Sequence, residues 1–157
     1  MNKSQSNDLY TAPHIGFILL ADDDTDDCIF FKEVLEELSI QIQLIEVHDG
    51  EKLMQFLKNE TNQIPYVLFL DLNMPRKNGV ECLLEIKRDE RLKYFPVIII
   101  STSIEQEVVD HLYKNGAQYF VCKPPDFLKL KKMVEQVFTL VTQKTAKPDR
   151  EKFVITV

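Results

Sequence analysis

Cysteine is scarce in this sequence, and its three occurrences suggest neither a disulfide framework nor a metal motif. Cys28, Cys82 and Cys122 are odd in number, widely spaced, and form neither a C-x-x-C motif nor a Cys/His ligand spacing. A zinc site and structural disulfides are therefore not expected. We interpret all three residues as buried free thiols in a reducing compartment.

Long hydrophobic runs are also missing. Runs such as Phe17 to Ala21 are far shorter than the roughly 18 residues that a membrane-spanning helix needs. The N-terminus lacks the basic region and apolar core of an export signal. We therefore expect a cytoplasmic protein that does not insert into membranes.

Positive charge is in the minority, since the net charge is −6. A broad nucleic-acid-binding surface is not expected from this balance, and the basic residues Lys129, Lys131 and Lys132 are interpreted as a solvated helix face. The negative charge is concentrated, because five of the six residues from Asp22 to Asp27 are Asp.

Short apolar runs alternate with helical patterns along the chain. Strands are predicted at about 17–21, 44–47, 66–70, 96–100 and 119–122, and helices at about 25–38, 51–58, 80–86, 105–115 and 126–141. This alternation predicts a doubly wound (βα)5 α/β fold, with a central five-stranded parallel sheet and helices on both faces. Residues 1–14 are expected to form a flexible tail, and residues 143–157 either a loose tail or an extra edge strand.

Polar side chains follow four of the predicted strands, at the point where each strand ends. They are Asp22, Asp23, Asp71, Asn73, Ser101 and Lys123. Right-handed crossovers bring the carboxyl ends of parallel strands to one edge of the sheet, where open α/β folds bind ligands. The sequence therefore predicts a site at this edge.

Three carboxylates at one edge repel each other, so either one takes up a proton or a divalent cation lies between them. Mg²⁺ suits such oxygen ligands. Lys123 can pair with a carboxylate or a phosphoryl group, and Ser101 can donate its hydroxyl to the same anion or cap a helix. Taken alone, Asp22 and Asp23 could equally favour a helix N-terminus. Together, these groups suit an Asp that accepts a phosphoryl group.

The chain resembles the receiver domain of two-component response regulators, of which the chemotaxis receiver protein is the simplest example. The resemblance covers about residues 17–141. It rests on Leu20-Ala21-Asp22-Asp23-Asp24, on Asp71-Leu72-Asn73-Met74-Pro75 with Gly79, on Ser101 and on Lys123-Pro124. It implies a flavodoxin-like fold, with the receiver domain at residues 15–142.

The resemblance also implies a role for each residue of the predicted site. Asp71 would be the phosphorylation site. Mg²⁺ would be bound by Asp23 and Asp71, by the backbone carbonyl of Asn73, and by Asp22 directly or through water. Lys123 would bind the phosphoryl group.

Three further positions concern the switch that would follow phosphorylation. The hydroxyl of Ser101 would move to the phosphate. Phe120 takes the position of the family's aromatic switch residue, often Tyr, and is either a ring that swings inward or a plain core aromatic. The Lys123–Pro124 peptide bond would be cis, as in relatives.

These features lead to the hypothesis of a stand-alone receiver, phosphorylated by a sensor histidine kinase or a histidine phosphotransfer protein. It would be a signalling phospho-acceptor that promotes its own phosphorylation and dephosphorylation, not an enzyme with a separate substrate. Its downstream protein target would contact the fourth helix, fifth strand and last helix. Because about 15 residues follow the last predicted helix, we expect no DNA-binding output domain.

Two alternatives remain open. A phosphatase or phosphotransferase with an Asp nucleophile would want a second Asp two residues after Asp71, where this chain has Asn73. A receiver-fold interaction module that works without phosphorylation would not need the intact set of Asp23, Asp71, Ser101 and Lys123.

Overall fold

The chain folds into a six-stranded parallel sheet between two layers of helices, in a computed structural model that describes residues 16–143 and 146–157. The strands are β1 (Phe17–Ala21), β2 (Gln43–Val47), β3 (Val67–Asp71), β4 (Val97–Ser101), β5 (Tyr119–Cys122) and β6 (Val154–Ile155). The helices are α1 (Thr25–Glu37), α2 (Gly50–Lys58), α3 (Gly79–Arg88), α4 (Gln106–Lys114), α5 (Phe127–Thr142) and α6 (Arg150–Phe153).

The strand order is β2-β1-β3-β4-β5-β6, and every neighbouring pair is parallel. This order confirms the predicted doubly wound fold. β1, β3 and β4 are buried along their whole length, as expected for apolar strands covered on both faces. The predicted tail at residues 1–14 lies outside the described residues.

Two apolar cores hold the helices against the sheet. One lies under α2, α3 and α4 and includes Leu53, Leu83 and Val109. The other lies under α1 and α5 and includes Phe31 and Val137. In the part of the chain that the structure describes, no helix is long and apolar enough to cross a membrane.

Polar N-caps fix where several helices begin beside the carboxyl edge of the sheet. The side chain of Asp24 accepts hydrogen bonds from the backbone N–H groups of Asp26 and Asp27 at the start of α1. Asp49 and Asp126 cap α2 and α5 in the same way. An N-cap satisfies backbone donors that have no partner within the helix. Part of the acidic run at 22–27 is thus used to begin α1.

The sixth strand lies at the edge of the sheet, in the 143–157 segment for which an extra edge strand was one of the two alternatives. Val154 and Ile155 pair with Phe120 and Val121 of β5, directly after α6, a one-turn helix that was not predicted. Phe153 anchors this segment, because its side chain is fully buried. Its ring lies 5.1 Å from that of Tyr113. A two-residue strand after a polar stretch carries too little sequence pattern to separate it from a loose tail.

Candidate functional site

The carboxyl edge of the sheet carries a cluster of three carboxylates. Asp22 follows β1, Asp71 ends β3, and each has a carboxylate oxygen within 4.8 Å of the other and of Asp23. Asp22 is 2% exposed and Asp71 6%, whereas Asp23 is open to solvent. The strands therefore bring together the acidic residues that the sequence assigned to one edge.

Lys123, the residue after β5, reaches into this cluster. Its Nζ lies 3.1 Å from Oδ2 of Asp22, 2.7 Å from Oδ2 of Asp27 and 3.5 Å from Oδ2 of Asp71. The pairing with Asp27 was not predicted, because which of the Asp residues near the start of α1 faces β5 depends on how that helix is rotated. One cation thus partly compensates several carboxylates.

Burial and these pairings shift the pKa values of the cluster. Burial raises the pKa of Asp22 from 3.8 to about 6, although the N–H of Asp24 and the Lys123 ammonium oppose the shift. For Lys123, burial favours the neutral amine, but the hydrogen bond to Asp27 and the charges of Asp22 and Asp71 raise its pKa above the ordinary value. Lys123 is therefore a fixed positive charge at neutral pH.

The backbone around Asp71 holds its carboxylate in place. The N–H of Asn73 donates to Oδ1 of Asp71 at 3.1 Å. The N–H of Gly79 donates to the carbonyl of Leu72 at 2.9 Å, which folds the loop back under the strand. A Cβ atom on Gly79 would lie 2.6 Å from the carbonyl oxygen of Asp71. Only glycine permits this close approach without a shift of the backbone.

Ser101 and Phe120, the two predicted switch residues, line one cavity of about 200 Å³ beside the cluster. Ser101 is 1% exposed, and its Oγ accepts a hydrogen bond from the N–H of Ser103 at 3.3 Å. Phe120 is also 1% exposed, and its ring lies 6.5 Å from that of Phe153. Asn73 lines the same cavity, so it connects the loop after Asp71 with both residues.

The expectation of a cis peptide bond between Lys123 and Pro124 is wrong for this structure. Among the described residues no peptide bond is cis, so the Lys123–Pro124 bond is trans. Trans is the ground state of an X–Pro bond by about 0.5–1 kcal/mol, and cis needs support from the surrounding packing. Lys123 reaches its three carboxylates with the bond in the trans form.

The donor set fits a hard divalent cation. Asp22, Asp23 and Asp71 offer carboxylate oxygens close enough to share one ion. Mg²⁺ and Mn²⁺ both accept such oxygen ligands. A cation would also relieve the repulsion that Lys123 offsets only in part.

Comparison with known proteins identifies the class of protein that this fold and site belong to. The family model described as "Response regulator receiver domain" matches residues 18–135. The chain therefore belongs to the response regulator receiver domain family.

Individual relatives agree with this assignment. The chain is 35% identical over 124 residues to response regulator Rcp1 of Synechocystis sp., with 76% of this chain and 84% of Rcp1 aligned. The crystal structure of the Mn²⁺-bound form of Rcp1 matches with a TM-score of 0.75 at 32% identity, over 85% of this chain and 99% of that one. The phosphorylated cyanobacterial phytochrome response regulator RcpA matches with a TM-score of 0.76 at 28% identity, over the same shares.

Proposed function

We propose that this receiver domain is a phosphorylation-operated switch, in which Asp71 accepts a phosphoryl group from phosphohistidine. One observation carries the proposal: the Lys123 ammonium lies 3.1 Å from Asp22 and 3.5 Å from Asp71, at the edge where the strands end. A fixed cation beside two buried carboxylates suits an anionic group that is transferred to one of them.

In the proposed step a carboxylate oxygen of Asp71 attacks phosphorus. The P–N bond to the donor imidazole breaks, and the imidazole leaves with its electron pair and takes up a proton. Lys123 would exchange part of its contact with Asp22 for a phosphoryl oxygen, and Ser101 would donate its hydroxyl to another. Phosphoryl transfer needs such positioning and charge compensation more than proton transfer.

Mg²⁺ would be held by Asp22, Asp23 and Asp71, together with the backbone carbonyl of Asn73. When bound, it supplies positive charge that offsets the charge on the phosphoryl oxygens. The related response regulator Rcp1 has a crystal structure in an Mn²⁺-bound form, and this supports the proposal of a divalent cation here.

The proposed donor is a sensor histidine kinase or a histidine phosphotransfer protein, and the proposed output is a protein–protein contact. A sensor histidine kinase, CheAY of Helicobacter pylori, contains a segment that is 24% identical to 79% of this chain. The expected output surface of α4, β5 and α5 is partly occupied, because β6 pairs with β5 and Arg150 bonds to Asp110 of α4 at 2.7 Å. We propose that Phe120 transmits the switch to this covering segment through Phe153.

The experiment is the intact mass of the protein after incubation with acetyl phosphate, with and without Mg²⁺. We expect a gain of one phosphoryl group that requires both Mg²⁺ and Asp71, and that is lost in Asp71→Asn. Asp126→Asn is the matched control, because Asn caps a helix as well as Asp does and residue 126 lies at the start of α5. If neither acetyl phosphate nor a phosphorylated kinase modifies the wild type, the proposal fails and an interaction module is favoured.

A further inference from the structure

A second cluster of side chains that could bind a metal ion lies next to the acidic site, where helix α1 packs beside strand β2. Cys28, Glu46 and His48 each place one ligand atom within 4.8 Å of the other two. Cys28 is buried in α1, whereas Glu46 lies in β2 and His48 directly after it, and both of these residues are exposed. None of the three has a role in the proposed phosphoryl transfer.

The hydrogen bonding of His48 prepares its ring as a ligand. Nδ1 lies 3.0 Å from the backbone carbonyl oxygen of Asp22. A carbonyl only accepts, so Nδ1 carries the proton and, in the neutral ring, Nε2 carries the lone pair. Metal-binding histidines typically have this arrangement, in which a carbonyl fixes the tautomer.

Nε2 of His48 faces Glu46, at 3.8 Å from its Oε1. Two lone pairs that face each other at this distance repel, so the pair needs a positive charge. A cation bound between the two side chains would supply that charge. The Sγ of Cys28 lies beside them, so a cation bound here would have nitrogen, oxygen and sulfur donors within reach.

We propose that Cys28, Glu46 and His48 form a binding site for Zn²⁺. Sulfur, nitrogen and oxygen donors suit this borderline ion, whereas Mg²⁺ demands oxygen. Around a tetrahedral Zn²⁺, with bonds of about 2.0–2.3 Å, neighbouring ligand atoms lie about 3.3–3.6 Å apart. The 3.8 Å between His48 and Glu46 is close to this range. Three protein ligands leave the fourth position open to water or an exogenous ligand.

The Zn²⁺ site adjoins the acidic cluster but shares no ligand atom with it. The Sγ of Cys28 lies 3.7 Å from the carbonyl oxygen of Asp22, the same oxygen that His48 contacts. The side chain of Asp22 points to Lys123 instead. On binding, Zn²⁺ replaces the thiol proton of Cys28, which passes to solvent. The sequence did not predict this site, because residue 28 comes close to residues 46 and 48 only when α1 packs against the sheet.

Co²⁺ titration with saturating Mg²⁺ present tests the proposal, because thiolate coordination gives cobalt a ligand-to-metal charge-transfer band. We expect the band at one Co²⁺ per chain, and we expect Zn²⁺ to abolish it by displacement. Cys28→Ser should remove the band. Glu46→Gln and His48→Gln, which change exposed side chains and leave the core intact, should each weaken Zn²⁺ binding at least about tenfold by calorimetry.

Matched controls separate this site from other thiols and imidazoles. Cys122→Ser and His111→Gln should leave both the band and the Zn²⁺ affinity unchanged, as should His14→Gln, although residue 14 lies outside the described part of the chain. A wild type without the band, or a band that persists in Cys28→Ser, would overturn the proposal. The readout is metal binding, so its outcome is independent of whether Asp71 is phosphorylated.

Discussion

The ammonium of Lys123 lies 3.1 Å from Oδ2 of Asp22, although 101 positions separate the two residues in the sequence. The contact joins the ends of β1 and β5 across the acidic cluster. It places a built-in cation where a divalent cation and a phosphoryl group would also bind. Lys123 should therefore weaken the binding of the divalent cation, which it repels, and favour the binding of the phosphoryl group, which it attracts.

Replacing Lys123 by Met tests this opposition. We expect Mg²⁺ to bind several-fold more tightly, because a competing charge is removed, while phosphorylation by acetyl phosphate slows by about a hundredfold. Calorimetry measures the first effect and intact mass against time the second. Lys129→Met, on the exposed surface of α5, should change neither. An unchanged phosphorylation rate in Lys123→Met would show that this ammonium does not act on the phosphoryl group.

The raised pKa of Asp22 predicts a pH dependence of stability in the absence of divalent cations. Between about pH 4 and pH 6 the folded protein keeps a proton that the unfolded chain has lost, since the pKa rises from 3.8 to about 6. The free energy of unfolding should therefore fall as the pH rises through this window, by about 2–3 kcal/mol from this residue.

Asp22→Asn isolates this contribution, because Asn resembles the protonated acid. Above pH 6 the variant should be more stable than the wild type in urea unfolding, and the difference should vanish towards pH 4. Groups with the opposite slope, such as Glu85, whose pKa is lowered by hydrogen bonds from Lys58 and Lys77, cancel in the comparison. A variant that is less stable than the wild type at pH 7 would contradict the prediction.

Phe153→Ala should destabilise the protein by about 3–5 kcal/mol, since it empties a fully buried aromatic site. We also expect faster hydrogen exchange at Val154 and Ile155, because β6 loses its anchor. Lys152→Ala, one residue earlier and exposed, should leave both quantities unchanged. A loss below about 1 kcal/mol would mean that the C-terminal segment is not packed on α4 and β5 in solution.

Gly50→Ala should cost about 1–3 kcal/mol in urea unfolding, although alanine is the better helix former. A Cβ atom at the start of α2 would overlap the carbonyl oxygen of Lys77, which belongs to the loop after β3. Gln55→Ala, on the exposed face of the same helix, should lie within about 0.5 kcal/mol of the wild type. If Gly50→Ala were more stable than the wild type, the start of α2 would not be in contact with the loop that contains Lys77.

The fold and the acidic cluster could be predicted because they depend on short-range pattern and one topological rule. Apolar runs ended by Asp71, Ser101 and Lys123 define strands, and parallel strands share a carboxyl edge. The structure brings these residues together, while their roles in phosphoryl transfer remain predictions.

The remaining features depend on three-dimensional packing that the pattern does not encode. The contact of Asp27 with Lys123 requires the rotation of α1 about its axis. Glu46 and His48 are two positions apart and so share a side of an extended strand, but nothing in the sequence pairs them with Cys28. The expectation of a cis bond before Pro124 came only from the resemblance to the receiver family, whereas the trans bond in the structure is the intrinsic preference of an X–Pro pair.

The sixth strand has a consequence for self-association. β5 is largely apolar and buried, and as an outer strand it would offer unpaired N–H and C=O groups to any extended chain, which is a common route to aggregation. Val154 and Ile155 cover part of this edge, and β2 at the opposite edge carries polar, partly exposed residues. A second copy can therefore add a strand beside Phe120 and Val121 only after the C-terminal segment has left them.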